Sequence, residues 1–216
     1  QTQLNSAGGA SNVTGLSDAL VDGDESMYIG NDPSSTTSTA IKNVALGVKA
    51  LDAITTGDHN TALGFEALSS NTTGSNNAAS GTFALFRNTT GNYNTATGYD
   101  ALTENTTGNM NTASGYRASR YNTTGELNTA VGFNALYTNT TGNRNTAVGS
   151  YALYNQTQNE KNTALGYQAG DVITTGSNNV LIGYDADPSA NDAVNQIVIG
   201  YNATGTGDNE IALGNT

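Results

Sequence analysis

The sequence predicts an all-β fold: a parallel β-solenoid, or β-roll, of ten 17-residue coils followed by one shorter 14-residue coil. Three observations predict it. Residues 60–76, NTALGFEALSSNTTGSN, return after every shift of 17, as in NTATGYDALTENTTGNM (94–110) and NTAVGFNALYTNTTGNR (128–144), and a fixed short period is the mark of a repeat architecture. A glycine holds the fifth place of every unit (Gly30, Gly47, Gly64, Gly81, Gly98, Gly115, Gly132, Gly149, Gly166, Gly183 and Gly200) with no insertion between. Gly is abundant, Asn and Thr recur in every unit, and β-branched or aromatic residues fill much of the rest, a mixture of poor helix propensity.

Residues 1–25 stand outside the repeat and are expected to form an N-terminal cap or connector. Asp22, Asp24 and Glu25 beside Gly23 lack the spacing of a calcium loop and are expected to form a solvated turn. The ten coils occupy 26–195; the first carries Pro33 and lacks the Ala-Leu pair, as terminal repeats often depart from consensus. The ninth loses the Leu of position nine to Gly170; the tenth has Pro188 in place of the NTTG corner. Residues 196–216 form the short final coil and the start of a further strand, and the natural chain is expected to continue past Thr216.

Within a unit, two strand-like runs, NTAxGY and the segment around Ala-Leu, are expected to make two walls joined at Gly and at the NTTG corner, since Gly and Asn accept positive φ at little cost. Stacked units place like on like about 4.8 Å apart in a parallel ladder. The third and eighth places are then columns of Ala, as in Ala62 and Ala67, which implies walls that approach closely, with Leu68, Leu85, Leu102, Leu136 and Leu153 as fill. The first place is a column of amides, Asn60, Asn77, Asn94, Asn111, Asn128, Asn145 and Asn162, expected to bond along the stack as a structural ladder. The sixth place (Phe65, Tyr99, Tyr116, Phe133, Tyr167, Tyr184 and Tyr201) faces away from the alanine wall by alternation, with the variable fourth place. That stripe is too apolar for open solvent and is expected to be an interchain face.

Composition narrows the function. The net charge is −11, with no basic stripe, which opposes nucleic-acid binding. No apolar run is long enough to span a bilayer. His59 is the sole histidine and there is no cysteine, so the sequence offers neither a catalytic triad nor a transition-metal cluster, and no phosphate-binding loop is present. A non-enzymatic chain without cofactor or metal is expected. The NTT triplets at Asn71, Asn88, Asn105, Asn122 and Asn139, and Asn12, Asn155 and Asn202, match the glycosylation sequon, but repetition of a structural corner explains the five together.

The NTAxGxxAL…NTTG units, with VLIGY, IVIGY and the closing DNEIALGNT, resemble the repeat regions of trimeric bacterial surface adhesins and phage-type tail fibres. The nearest fold parallel is the left-handed parallel β-roll head of trimeric autotransporter adhesins. The resemblance covers Ser26 to Thr216. It implies a homotrimer, a left-handed coil and a place outside the cell, on a cell surface or virion. The unit is longer than that family's, and no neck, membrane anchor or chaperone domain is visible, although the coil Gln196–Asn209 matches the family length.

The leading functional expectation is a rigid rod in a surface adhesin or tail fibre that spaces or presents a receptor-binding surface, with a receptor or glycan as partner. The alternative is an ice-binding solenoid using aligned threonines: Thr72 and Thr73, Thr89 and Thr90, Thr106 and Thr107, Thr123 and Thr124, Thr140 and Thr141. A further alternative is an open homopolymeric filament extending end to end.

Overall fold

The computed structural model describes residues 19–21, 26–30 and 39–214; the acidic turn at 22–25, Pro33 and the sequon at Asn12 lie outside them. The described chain is a single sheet of three-residue strands stacked in sequence order. It runs from β1 (Ala19–Val21) and β2 (Met27–Ile29) through β3 (Val44–Leu46), β4 (Thr61–Leu63), β5 (Ala78–Ser80), β6 (Thr95–Thr97), β7 (Thr112–Ser114), β8 (Thr129–Val131), β9 (Thr146–Val148), β10 (Thr163–Leu165), β11 (Val180–Ile182) and β12 (Ile197–Ile199) to β13 (Ile211–Leu213). From β2 onward each pair is parallel, and the register steps by one whole unit: Ala62 pairs with Ala79 and Ala96 with Ala113. The last step is the short one, Ile197 against Ile211. The β-solenoid expected from the period is the fold observed. β1 lies antiparallel on β2 and so occupies the edge on which a further parallel coil would have to stack.

One strand per turn, not two, is the main departure from expectation. With each turn counted from its leading Asn, the Ala-Leu segment at positions 7–9 is curled: positions 7 and 9 both lie in the left-handed region, at φ 54° and 51° for Glu66 and Leu68. The curled backbone still bonds to both neighbouring turns. Glu66 N–H donates back to Val48 O (3.0 Å), and Leu68 N–H donates forward to Ala84 O (3.0 Å). Each turn is thus one extended wall closed by a knobbed one.

The core is correspondingly thin. Position 3 and position 8 alanines, such as Ala62, Ala67, Ala96 and Ala101, are fully buried, and the position 9 leucines fill the space between. The ninth coil gives up that leucine because Leu181, at position 3 of the next turn, fills its place: a Cβ on Gly170 would sit 2.5 Å from Leu181 Cδ1 and 3.0 Å from Leu153 Cδ2.

Two glycine columns have different causes. At position 5 the chain turns out of the strand at φ values such as 135° for Gly64, which side chains rarely adopt, and a Cβ there would lie 2.7 Å from the Gly81 carbonyl oxygen. At the NTTG corner, contrary to expectation, neither Gly nor Asn takes positive φ; position 17 does, as at Asn76 (φ 60°) and Tyr93 (φ 59°). The corner glycine is needed for room, because a Cβ on Gly91 would collide with Asn88 Oδ1 and Gly108 O.

Candidate functional site

The polar residues of the turn are mostly spent on the stack. Asn111 N–H and Nδ2 both donate to Asn94 Oδ1 (3.0 and 3.2 Å), and Nδ2 also donates to Gly125 O at 2.8 Å. Asn60, Asn77, Asn128 and Asn145 of that column are buried in the same arrangement, and Asn162 keeps the backbone bond to Asn145 Oδ1 while its Nδ2 turns to Gln156 Oε1. A second amide column runs through position 12. Asn88 Nδ2 donates to Asn71 Oδ1 and Asn105 Nδ2 to Asn88 Oδ1, each at 2.8 Å, and the column continues through Asn122 to Asn139. These five sequon asparagines are fully buried with their amide nitrogens engaged, so the folded chain presents none of them for glycosylation. The signal for this column was available in the sequence: position 12 is Asn only where position 15 is Gly, and Gln156 replaces Asn where Asn159 replaces Gly.

The threonine pairs do not form a double exposed row. Thr72, Thr89, Thr106, Thr123 and Thr140 are half-buried, and each hydroxyl donates to the position 13 carbonyl of the next turn, as Thr72 Oγ1 does to Thr89 O at 3.0 Å. Thr73, Thr90, Thr107, Thr124 and Thr141 are exposed but form one column on a bend. His59 is an exposed corner residue with φ 58°.

What remains outward is the strand face and its flanks: positions 2 and 4 of the strand, position 17 before it and position 6 after it. Every exposed large apolar side chain among the described residues lies on it except Tyr121, Val172 and Val194. The aromatic stripe is continuous. Tyr99, Tyr116 and Phe133 stack with centroids 5.4 and 5.2 Å apart, as do Tyr167, Tyr184 and Tyr201 at 5.1 and 5.2 Å. Where position 6 is Thr82 or Ser150, position 7 supplies the ring. Phe83 bridges Phe65 and Tyr99 edge-on at 5.5 and 6.1 Å, and Tyr151 bridges Phe133 and Tyr167 at 5.3 and 6.3 Å. These two rings escaped a position-by-position reading of the repeat, because neither sits in the sixth place.

The face is also free of acid. At positions 17, 2, 4 and 6 the only ionisable side chains besides tyrosine, among the described residues, are Lys42, His59, Arg144 and Lys161, the last two paired with Glu160 at the edge of the face (3.4 and 2.9 Å), although the chain as a whole carries 18 carboxylates against seven Lys or Arg. The carboxylates lie at other positions of the turn. In one place they crowd: burial first, and then the charges of Asp171 and Asp185, push Asp187 up to about 7 against hydrogen bonds from the Gly170 and Val172 amides.

No group of acidic, His or Cys side chains suited to a metal ion occurs among the described residues, and no helix long and apolar enough to cross a membrane occurs among them. No protein-family model matches the sequence, and no curated protein or solved structure shows significant similarity to it. The class of molecule defined by the geometry is a β-solenoid repeat protein.

Proposed function

We propose that this chain is a non-enzymatic structural segment of an extracellular fibre, a rigid rod that packs against copies of itself and presents a recognition surface outward. The observation that carries the reading is the acid-free apolar face on an otherwise acidic rod. The extended part of the face, positions 2–4, is roughly 10 Å wide, and eleven inter-turn steps give about 53 Å of length, or on the order of 500 Å² before the side chains of positions 17 and 6 are added. Soluble monomers rarely expose contiguous apolar patches of more than a few hundred Å², and about 800 Å² per partner is a standard stable interface. Charge selects the partner. Approach through any acidic side brings like charges together, while approach through this face does not. The resemblance to trimeric adhesins and tail fibres favours three copies and a cell-surface or virion location.

Sedimentation equilibrium tests it. A mass of three chains, constant with concentration, is expected; a single-chain mass at micromolar concentration overturns the packing. Mass that grows with concentration would replace the closed trimer with the open filament, a reading opposed by the antiparallel β1 on the β2 edge.

Ice binding has one supporting feature, and it is not the NTT corner. Position 2 of the strand is Thr95, Thr112, Thr129, Thr146 and Thr163 in five consecutive turns. Those residues lie on the face that packing would cover, so the two readings compete. Thermal hysteresis shown by a monomeric chain would favour ice.

A further inference from the structure

Within the regular turns 94–144 the repeat is broken at one core position. Ser119 replaces the core leucine of position 9; it is 1% exposed and its hydroxyl has no hydrogen-bond partner. Asp100, at position 7 of the preceding turn, is also buried and accepts from Thr103 Oγ1 at 3.4 Å. Arg117 Nε and Arg120 Nε each lie 3.4 Å from Asp100 Oδ2, so two guanidinium groups share one carboxylate. Arg120 Nε is buried without the alignment of a hydrogen bond. The same guanidinium lies 5.2 Å over the Tyr121 ring, and its Nη1 donates to Tyr137 Oη at 3.4 Å. Burial pushes the Tyr137 phenol up, but hydrogen bonds from Arg120 and Tyr121 outweigh it and leave it below its ordinary value. The flanking turns keep Leu102 and Leu136 at position 9, so stability is given up here, and such breaks of local consistency concentrate at functional sites.

Arg117 also lies 4.9 Å over the Tyr116 ring, so this patch on the knobbed wall adjoins the aromatic stripe. We propose that the Arg–Tyr patch is a recognition site for a saccharide bearing a single carboxylate. Two guanidinium groups against one carboxylate leave one positive charge over, which one ligand carboxylate neutralises through fork-shaped donors. Tyr121, 39% exposed, offers an aromatic surface for the apolar side of a sugar ring. A polyanion is disfavoured by the charge of −11 on the whole chain. A peptide finds no backbone to pair with, since the main chain is already laddered here, as in Arg117 N–H to Tyr99 O and Ser119 N–H to Ala135 O. The site rests on the reading of the rod as a presenter of a recognition surface.

The test is titration of the full chain with sialyllactose, lactose, dextran sulfate and a glutamate-rich peptide, followed by Tyr fluorescence and saturation-transfer NMR. Sialyllactose is expected to bind at least tenfold more tightly than lactose or dextran sulfate. Arg120→Gln and Arg117→Gln are each expected to lose that preference, and Arg144→Gln, a cation on the other face, to keep it. Equal binding of lactose, no sialyllactose binding at millimolar concentration, equal loss in Arg144→Gln, or preference for the peptide or polyanion would each overturn the site. Sedimentation mass, measured on the same samples, separates failure of the site from failure of the packing.

Discussion

Asn111 uses every hydrogen-bonding capacity of its amide: Nδ2 donates to Asn94 Oδ1 and Gly125 O, and Oδ1 accepts from the backbone and side-chain amides of Asn128. Removing it strands groups on both neighbouring turns where no water reaches. Asn111→Ala is therefore expected to cost about 2–4 kcal/mol in urea unfolding, and Thr124→Ala, on the exposed corner column, to stay within about 0.5 kcal/mol. Ser119→Leu should move the other way, gaining about 1–3 kcal/mol by refilling a leucine column and removing an unpartnered hydroxyl. The burial of the position 12 amides predicts that protein secreted from a glycosylating host has intact mass free of sugar at Asn71, Asn88, Asn105, Asn122 and Asn139; glycans there would mean that the corner is not folded as described. The column at position 1 was legible because a residue repeated without exception at fixed spacing must meet itself. The column at position 12 was hidden under a sequon that explained the same letters.

At the scale of the turn, the strand was legible from NTAxG and the knobbed wall was not. Leu at position 9 reads as strand or helix, yet Leu68 and Leu85 take φ near 50°, a conformation enriched in Asn, Asp and His but uncommon for Leu. Burial overrides local preference there, because the leucines fill the space between the alanine columns. The position 5 glycine has no such latitude: Gly64→Ala is expected to destabilise by about 3 kcal/mol or more, combining a disfavoured φ with a collision against the Gly81 carbonyl. The C-terminal turns carry a pH dependence of their own. Asp187 titrates at about 7 in the folded chain against an ordinary 3.8, so the folded state holds its proton more tightly than the unfolded one. Its stabilising share is complete below about pH 4 and is lost as pH rises through 7. Hydrogen exchange of the β11 and β12 amides should accelerate between pH 5 and 8 beyond the intrinsic rate, and Asp187→Asn should abolish that excess.

Over the whole molecule, each turn touches only its neighbours, so stability accumulates along the rod while association depends on one side of it. That separation makes the packing testable without unfolding the chain. Tyr116 and Val131 lie near the middle of the acid-free face, exposed and outside the alanine core. A carboxylate placed there costs the isolated rod little, but in a packed assembly it is desolvated against copies of itself. Tyr116→Glu combined with Val131→Glu is expected to reduce the sedimentation mass from three chains to one, with the far-ultraviolet spectrum retained and the unfolding midpoint lowered only through lost association. Glutamates at Thr107 and Thr124, which also face solvent but on the corner, should leave the mass unchanged. If both pairs dissociate the assembly equally, added negative charge is acting at long range on an already acidic rod, and high salt should then restore the trimer in both. If only the face pair dissociates it and salt does not restore it, the contact is the desolvated strand face itself.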